Sequence, residues 1–217
     1  MTVQPLPEPR VSRPSPSKIV CVGRNYAAHA RELGNEVPER PLLFFKPPSA
    51  LIGTGEPIVL PAASSRVEHE AEIGVVVGRR LRHADPGEAA ASIAGLCCAN
   101  DVTARDLQQV DGQWARAKGF DTFCPVGEVV PCHGPLDDLS IVARVNGEVR
   151  QRGHSRDMLW AIPELLAYIS AIMTLEPGDL VLTGTPEGVG PVRAGDVIEV
   201  EIPGVGLLSS PVAMEPA

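Results

Sequence analysis

The stretch Val67-Glu68-His69-Glu70-Ala71-Glu72-Ile73-Gly74-Val75-Val76-Val77 decides how this chain folds. From Ala71 to Val77 it is mostly apolar and β-branched, with Gly78 behind it, and suits a strand. Strand alternation puts Glu68, Glu70 and Glu72 on one face and His69, Ala71 and Ile73 on the other. Three like charges beside a run of valines repel one another and resist burial unless a cation lies among them. The alternative is a solvent-exposed strand edge, where charges also discourage aggregation.

A second acidic centre, Asp101, follows the apolar segment Cys97-Cys98-Ala99 and precedes Thr103, Arg105 and Asp106. An aspartate there can be a turn former or helix cap. With Glu70 and Glu72 it could instead complete an all-oxygen triad with open positions, which suits Mg²⁺ or Mn²⁺ better than zinc. His29 and Glu32 stand three apart on an expected helix, so the carboxylate could orient the imidazole as a general base; a solvated helix face is the plainer alternative. Lys118, among small and apolar residues, could hold an ammonium near an anionic substrate or lie on the surface. The turn Thr183-Gly184-Thr185-Pro186-Glu187-Gly188-Val189-Gly190 lacks the Lys-Ser/Thr of a phosphate loop, which leaves backbone N–H groups and the Thr185 hydroxyl for a carboxylate or oxyanion.

Around these motifs the composition is that of a folded enzyme-sized chain. The 217 residues are 44% hydrophobic and 21% charged, which excludes disorder as the main theme. With 19 basic against 27 acidic residues the net charge is −8, which argues against a nucleic acid or an anionic membrane as partner. Aromatic residues are 4%, while 21 Gly and 22 Pro favour short strands over a helical bundle. The five cysteines include no C-x-x-C pair, so free thiols in a reducing compartment are expected. No segment has the apolar length to span a bilayer, and a cytoplasmic protein is expected.

Residues 1–17 are proline-rich and read as an extended segment, with one domain over residues 18–217. Strands are expected at Lys18–Val22, Leu42–Phe45, Pro57–Leu60, Ala71–Val77, Leu96–Ala99, 180–183 and 197–202. Helices are expected at Asn25–Leu33, 86–95 and Pro163–Met173, with an interrupted helix or mobile loop over 103–118. Asn146-Gly147 closes a hairpin between Ile141–Val145 and Glu148–Gln151 that reads as plain scaffold. The sum is a β-rich α+β chain, rolled or sandwiched rather than doubly wound.

The segments CVGRNYAAHARELG, LLFFKPPSAL, VEHEAEIGVVVG, ANDVTARDLQ, WARAKGFDTFCPVG, RVNGEVRQ and LVLTGTPEGVGPV, in this order, resemble the fumarylacetoacetate hydrolase family, in particular its small single-domain members acting on acylpyruvates and related 2-oxo acids. The resemblance implies a mixed β-sandwich roll of that family's C-terminal-domain type with few short helices, assembled as a homodimer. It implies that Glu70, Glu72 and Asp101 ligate Mg²⁺ or Mn²⁺, with Glu68 outside the set. His29 and Glu32 would form a catalytic dyad, Lys118 would stabilise developing charge, and Arg105, Gln108 and Thr185 would contact a small 2-oxo acid substrate. The implied reaction is hydrolytic C–C cleavage of a 2,4-dioxo acid, an acylpyruvate or fumarylpyruvate, to pyruvate and a carboxylic acid. Oxaloacetate decarboxylation and isomerisation of the 2-hydroxyhepta-2,4-diene-1,7-dioate type would share nearly every residue, and a non-catalytic metabolite binder is the reading from another class. A substrate with a distal carboxylate would want an extra cation, for which Arg24, Arg31 and Arg116 are the candidates.

Overall fold

The computed structural model describes residues 14–132 and 134–216. Most of the proline-rich segment expected over residues 1–17 therefore lies outside the described residues. The decisive strand forms over Ala71–Val77, and all seven of its residues are buried. It lies between Leu180–Leu182 and Ile93–Asn100, antiparallel to both. The five-stranded sheet continues from Leu180–Leu182 to Ile19–Gly23, paired in parallel, and ends at Leu42–Lys46. A strand covered on both faces needs a continuous apolar run instead of alternation, which is what the valines supply. Ile73, Val75 and Val77 pack on one side with Val20 and Val181, and Val76 packs on the other with Ile19, Cys21, Cys97 and Leu182.

A second five-stranded sheet runs in the order Glu148–His154, Ser140–Val145, Val197–Ile202, Gly206–Met214, Ile58–Leu60. Its Ile141, Ala143, Val200, Ile202 and Leu208 meet the first sheet in the main core. The helix Ile162–Ile172, with Pro163 in its first turn, closes that core with Ile162, Leu166 and Ile169. Among the described residues, five α-helices of at most 11 residues against this much sheet make the β-rich α+β sandwich that the sequence leads one to expect. Asn146 and Gly147 take φ of 54° and 80°, the left-handed pair that a type I′ hairpin turn demands.

One region departs in detail from expectation, and of the two forms expected for 103–118 the interrupted helix is the one found. The helix expected over 86–95 ends at Ala90, and the following strand begins at Ile93 rather than Leu96. An Asp85–Glu88 capping box fixes the short helix, and pairing of Ile93 with Val77 then overrides the helical preference of the alanines. The stretch 103–118 is an interrupted helix, Arg105–Val110 and Ala115–Lys118, broken at Asp111-Gly112. Among the described residues no helix is long and apolar enough to cross a membrane.

Because Leu166, on the inner face of the helix Ile162–Ile172, is fully buried, Leu166→Ala should lower the unfolding free energy by about 2–5 kcal/mol. Denaturant melts would show this, and a loss below about 1 kcal/mol would mean that the helix is not part of the core.

Candidate active site

Four strand ends of the first sheet meet at one edge. Ile19–Gly23 ends in Arg24-Asn25, Leu180–Leu182 ends in Thr183-Gly184-Thr185, Ile93–Asn100 ends in Asp101, and Ala71–Val77 begins just after Glu70. Asp101 is tied to the neighbouring strand start by its backbone N–H, which donates to the Glu70 carbonyl at 2.8 Å. Between them lies a cavity of about 280 Å³ lined by Glu70, Glu72, Asp101, Lys118, His29 and Thr185, among others.

Of the two readings of this strand, the solvent-exposed edge does not occur. Glu68, Glu70 and Glu72 are 1%, 5% and 2% exposed, and Asp101 is fully buried, so each charge needs a partner. Buried cations supply most of them. Lys118 Nζ donates to Glu70 Oε2 at 2.8 Å and to Asp101 Oδ2 at 2.6 Å. Lys46 Nζ donates to Asp101 Oδ1 at 2.6 Å and to the Val102 carbonyl at 2.9 Å. Arg105 forks between Glu68 Oε2, at 2.7 Å, and Glu70 Oε1, and Arg66 takes the other oxygen of Glu68.

Burial alone would raise the pKa of Glu70, but Lys118 and Arg105 override it and hold the group well below the usual carboxylate range. Burial likewise works against the Lys118 charge, and Asp101 and Glu70 more than restore it. Glu72 is the exception. Its Oε2 accepts from the Gly184 N–H at 2.6 Å, no lysine or arginine among the described residues bonds it, and burial with the charges of Asp101 and Glu70 pushes its pKa well up. Gly184 can make that approach because its φ is +98° and a Cβ there would stand 2.7 Å from Asn25 Cβ.

One oxygen from each of Glu70, Glu72 and Asp101 lies within 4.8 Å of the others. A divalent ion fits this donor set: the ligands are all hard oxygens, and Glu72 is the one of the three that no lysine or arginine among the described residues bonds. Glu68 lies outside the triad and serves as the anchor of Arg105 and Arg66.

The remaining expected residues fall around the same cavity. His29 Nδ1 lies 3.3 Å from Glu32 Oε2, and the other oxygen of Glu32 accepts from the Gly188 N–H at 2.9 Å. The two backbone N–H groups of the glycine turn thus bind the chain's own carboxylates, Glu72 and Glu32. Gln108 accepts from Arg105, and both line the cavity. The Thr185 hydroxyl donates to the Ala71 carbonyl at 2.8 Å.

Two partners escape the sequence reading. Lys46 closes the apolar strand Leu42–Lys46, and a charge so placed before Pro47-Pro48 was a usable signal. Gln151 corrects the reading of its hairpin as plain scaffold. It is the one buried residue of Glu148–His154, and it accepts from the Ala71 N–H at 2.9 Å and donates to Thr185 Oγ1 at 2.7 Å. It also lies 3.0 Å from buried His69 Nδ1, a group whose burial lowers its pKa.

Residues 18–213 match the family model of the fumarylacetoacetate (FAA) hydrolase C-terminal. The chain is 45% identical over 196 residues to oxaloacetate decarboxylase, mitochondrial, of Dictyostelium discoideum, covering 87% of this chain and 89% of that one. Among solved structures, 5-carboxymethyl-2-hydroxymuconate delta-isomerase from Mycobacterium smegmatis superposes with a TM-score of 0.87 at 46% identity, over 94% of this chain and 81% of that chain. Fumarylpyruvate hydrolase from Pseudomonas aeruginosa, in complex with Mn²⁺ and pyruvate, gives 0.88 at 33% identity, over 97% and 98%. The chain belongs to the fumarylacetoacetate hydrolase family.

Glu72 holds a proton below its raised pKa, and a divalent ion must displace it to bind there. Metal affinity should therefore strengthen as pH rises, with release of up to about one proton per ion. Calorimetry in buffers of different ionisation enthalpy measures the count. A count that stays the same in Glu72→Gln would assign the proton to another group.

Proposed function

We propose that the chain is a divalent-metal-dependent enzyme that hydrolyses a carbon–carbon bond in 2,4-dioxo acids, acylpyruvates or fumarylpyruvate, to give pyruvate and a carboxylic acid. The observation that carries this reading is an imidazole–carboxylate pair, His29–Glu32, on the same cavity as three clustered carboxylates. Glu70, Glu72 and Asp101 would hold Mg²⁺ or Mn²⁺, which when bound supplies a Lewis acid for the carboxylate and 2-oxo oxygens of the substrate.

The chain's own groups would do the rest. A carboxylate only accepts, so the contact with Glu32 assigns the proton of neutral His29 to Nδ1 and leaves Nε2 as the base. There it would take a proton from the water that adds to the distal carbonyl carbon, C4. Lys118, kept charged by Glu70 and Asp101, would face the tetrahedral oxyanion. Cleavage of C3–C4 then leaves its electron pair on C3 as the pyruvate enolate, and protonation there completes the products. Arg105, Gln108 and Thr185 would contact the substrate from the cavity wall.

A second reading, turnover of oxaloacetate, is supported by the Dictyostelium relative's name at 45% identity. It shares the enolate, because loss of the C4 carboxylate as CO₂ leaves the same electron pair on C3. The isomerase named among the solved structures again needs only a proton moved along an enolate.

Pyruvate release from acetylpyruvate, fumarylpyruvate and oxaloacetate, on metal-stripped protein and after adding Mg²⁺ or Mn²⁺, tests the proposal. Metal-restored cleavage of a diketo acid is expected; turnover of oxaloacetate alone would replace the hydrolase by the second reading, and silence on all three would contradict both. Glu70→Gln and Asp101→Asn should each weaken metal binding and turnover by more than about 100-fold with the fold retained. His29→Ala should cost hydrolysis about 10²–10⁴-fold while metal affinity, measured by calorimetry, persists.

A further inference from the structure

The acids considered above divide by their far end, which is either a neutral acyl group or a second carboxylate. Of the three arginines that could meet a second carboxylate, Arg116 is already spent on Asp111, with bonds of 2.9 and 2.7 Å. Arg31 is exposed and does not line the cavity. Arg24 lines the cavity, and also the apolar recess beside it formed by Leu42, Phe44 and Trp114.

The other strong cations of the cavity, Arg105 and Lys118, are each held by two carboxylates. Arg24 pairs with no carboxylate among the described residues. Its guanidinium lies over the Trp114 ring, 6.0 Å from the centroid. That ring is itself fixed, edge-on to Phe44 at 5.3 Å and so close to Gly23 that a Cβ there would stand 3.1 Å from it.

The backbone is also arranged to aim this side chain. Arg24 has φ of +58°, a left-handed conformation that costs a non-glycine residue of order 1–3 kcal/mol and persists only where its surroundings impose it. Asn25 imposes it. Its Nδ2 donates to the carbonyls of Thr183 and Trp160 at 2.8 and 3.2 Å, and its Oδ1 accepts from the Trp160 N–H at 3.0 Å.

We propose that Arg24 sets the substrate class of this site: its guanidinium, laid on Trp114 at the cavity wall and paired with no carboxylate among the described residues, binds the distal carboxylate of a dicarboxylic 2-oxo acid. A planar fork backed by an aromatic face matches a carboxylate through two parallel bonds, which a lysine ammonium cannot reproduce. The inference rests on the reading of the cavity as a 2-oxo acid site.

The test compares fumarylpyruvate, a diacid, with acetylpyruvate, a monoacid, in wild type, Arg24→Met, Arg24→Lys and Arg24→Asn. Asparagine tolerates the left-handed backbone and guards against a folding defect. The ratio of kcat/KM for diacid over monoacid should fall about 10–100-fold in Arg24→Met and Arg24→Asn, chiefly through KM, with partial recovery in Arg24→Lys. An unchanged ratio would overturn the assignment. If wild type turns over neither acid, the hydrolase reading fails separately, and calorimetry of both acids with Mg²⁺ present decides this one: a preference for the diacid that Arg24→Met removes supports it, and equal binding or none refutes it.

Discussion

The Lys118 ammonium, buried and bonded to Glu70 and Asp101 together, is the contact on which the rest of the site depends. Taking a carboxylate out of water costs several kcal/mol even after the protein relaxes, and here four are taken out within one small region. They can gather only because Lys118, Lys46 and Arg105 arrive with them from a short helix, a sheet edge and a helix start. The fold is thus arranged to bring positive charge to a place where like charges would otherwise push the strand ends apart. Glu72, which no lysine or arginine among the described residues bonds, is where a divalent ion would have something to add.

The glycine turn after Leu180–Leu182 couples this charge cluster to the His29–Glu32 pair. Gly184 donates to Glu72 and Gly188 donates to Glu32, so one loop positions a would-be metal ligand and the carboxylate that orients His29. Behind the loop, Gln151 joins the second sheet to Thr185 and Ala71. Each layer of the sandwich therefore contributes a group whose displacement would be felt at the cavity, which is why a plain-looking hairpin carries a site contact.

Much of this was legible in the sequence because burial of like charge is hard to disguise. Glu70 and Glu72 beside a valine run, and Asp101 after an apolar strand, are informative in the residues themselves. The Asn146-Gly147 hairpin and the helix opened by Pro163 follow from local chemistry. What was not legible lies in tertiary pairing. Whether Glu68 is a ligand or an anchor depends on where Arg105 lands, and alternation alone treats it like Glu70. Gln151 looks like any polar residue on a solvated hairpin until its strand packs against the glycine turn. The strand start at Ile93 was hidden because alanine-rich segments favour a helix until a neighbouring strand offers its backbone.

Glu70, Glu72 and Asp101 would together form one divalent-metal centre on the cavity that His29 lines. Anomalous diffraction from crystals grown with Mn²⁺ tests it most directly. A single ion bound by one oxygen from each of the three carboxylates is expected, at distances of about 2.0–2.2 Å for a small hard cation. A fully occupied ion elsewhere, or a triad that stays closed on Lys118 with no ion at saturating Mn²⁺, would contradict it.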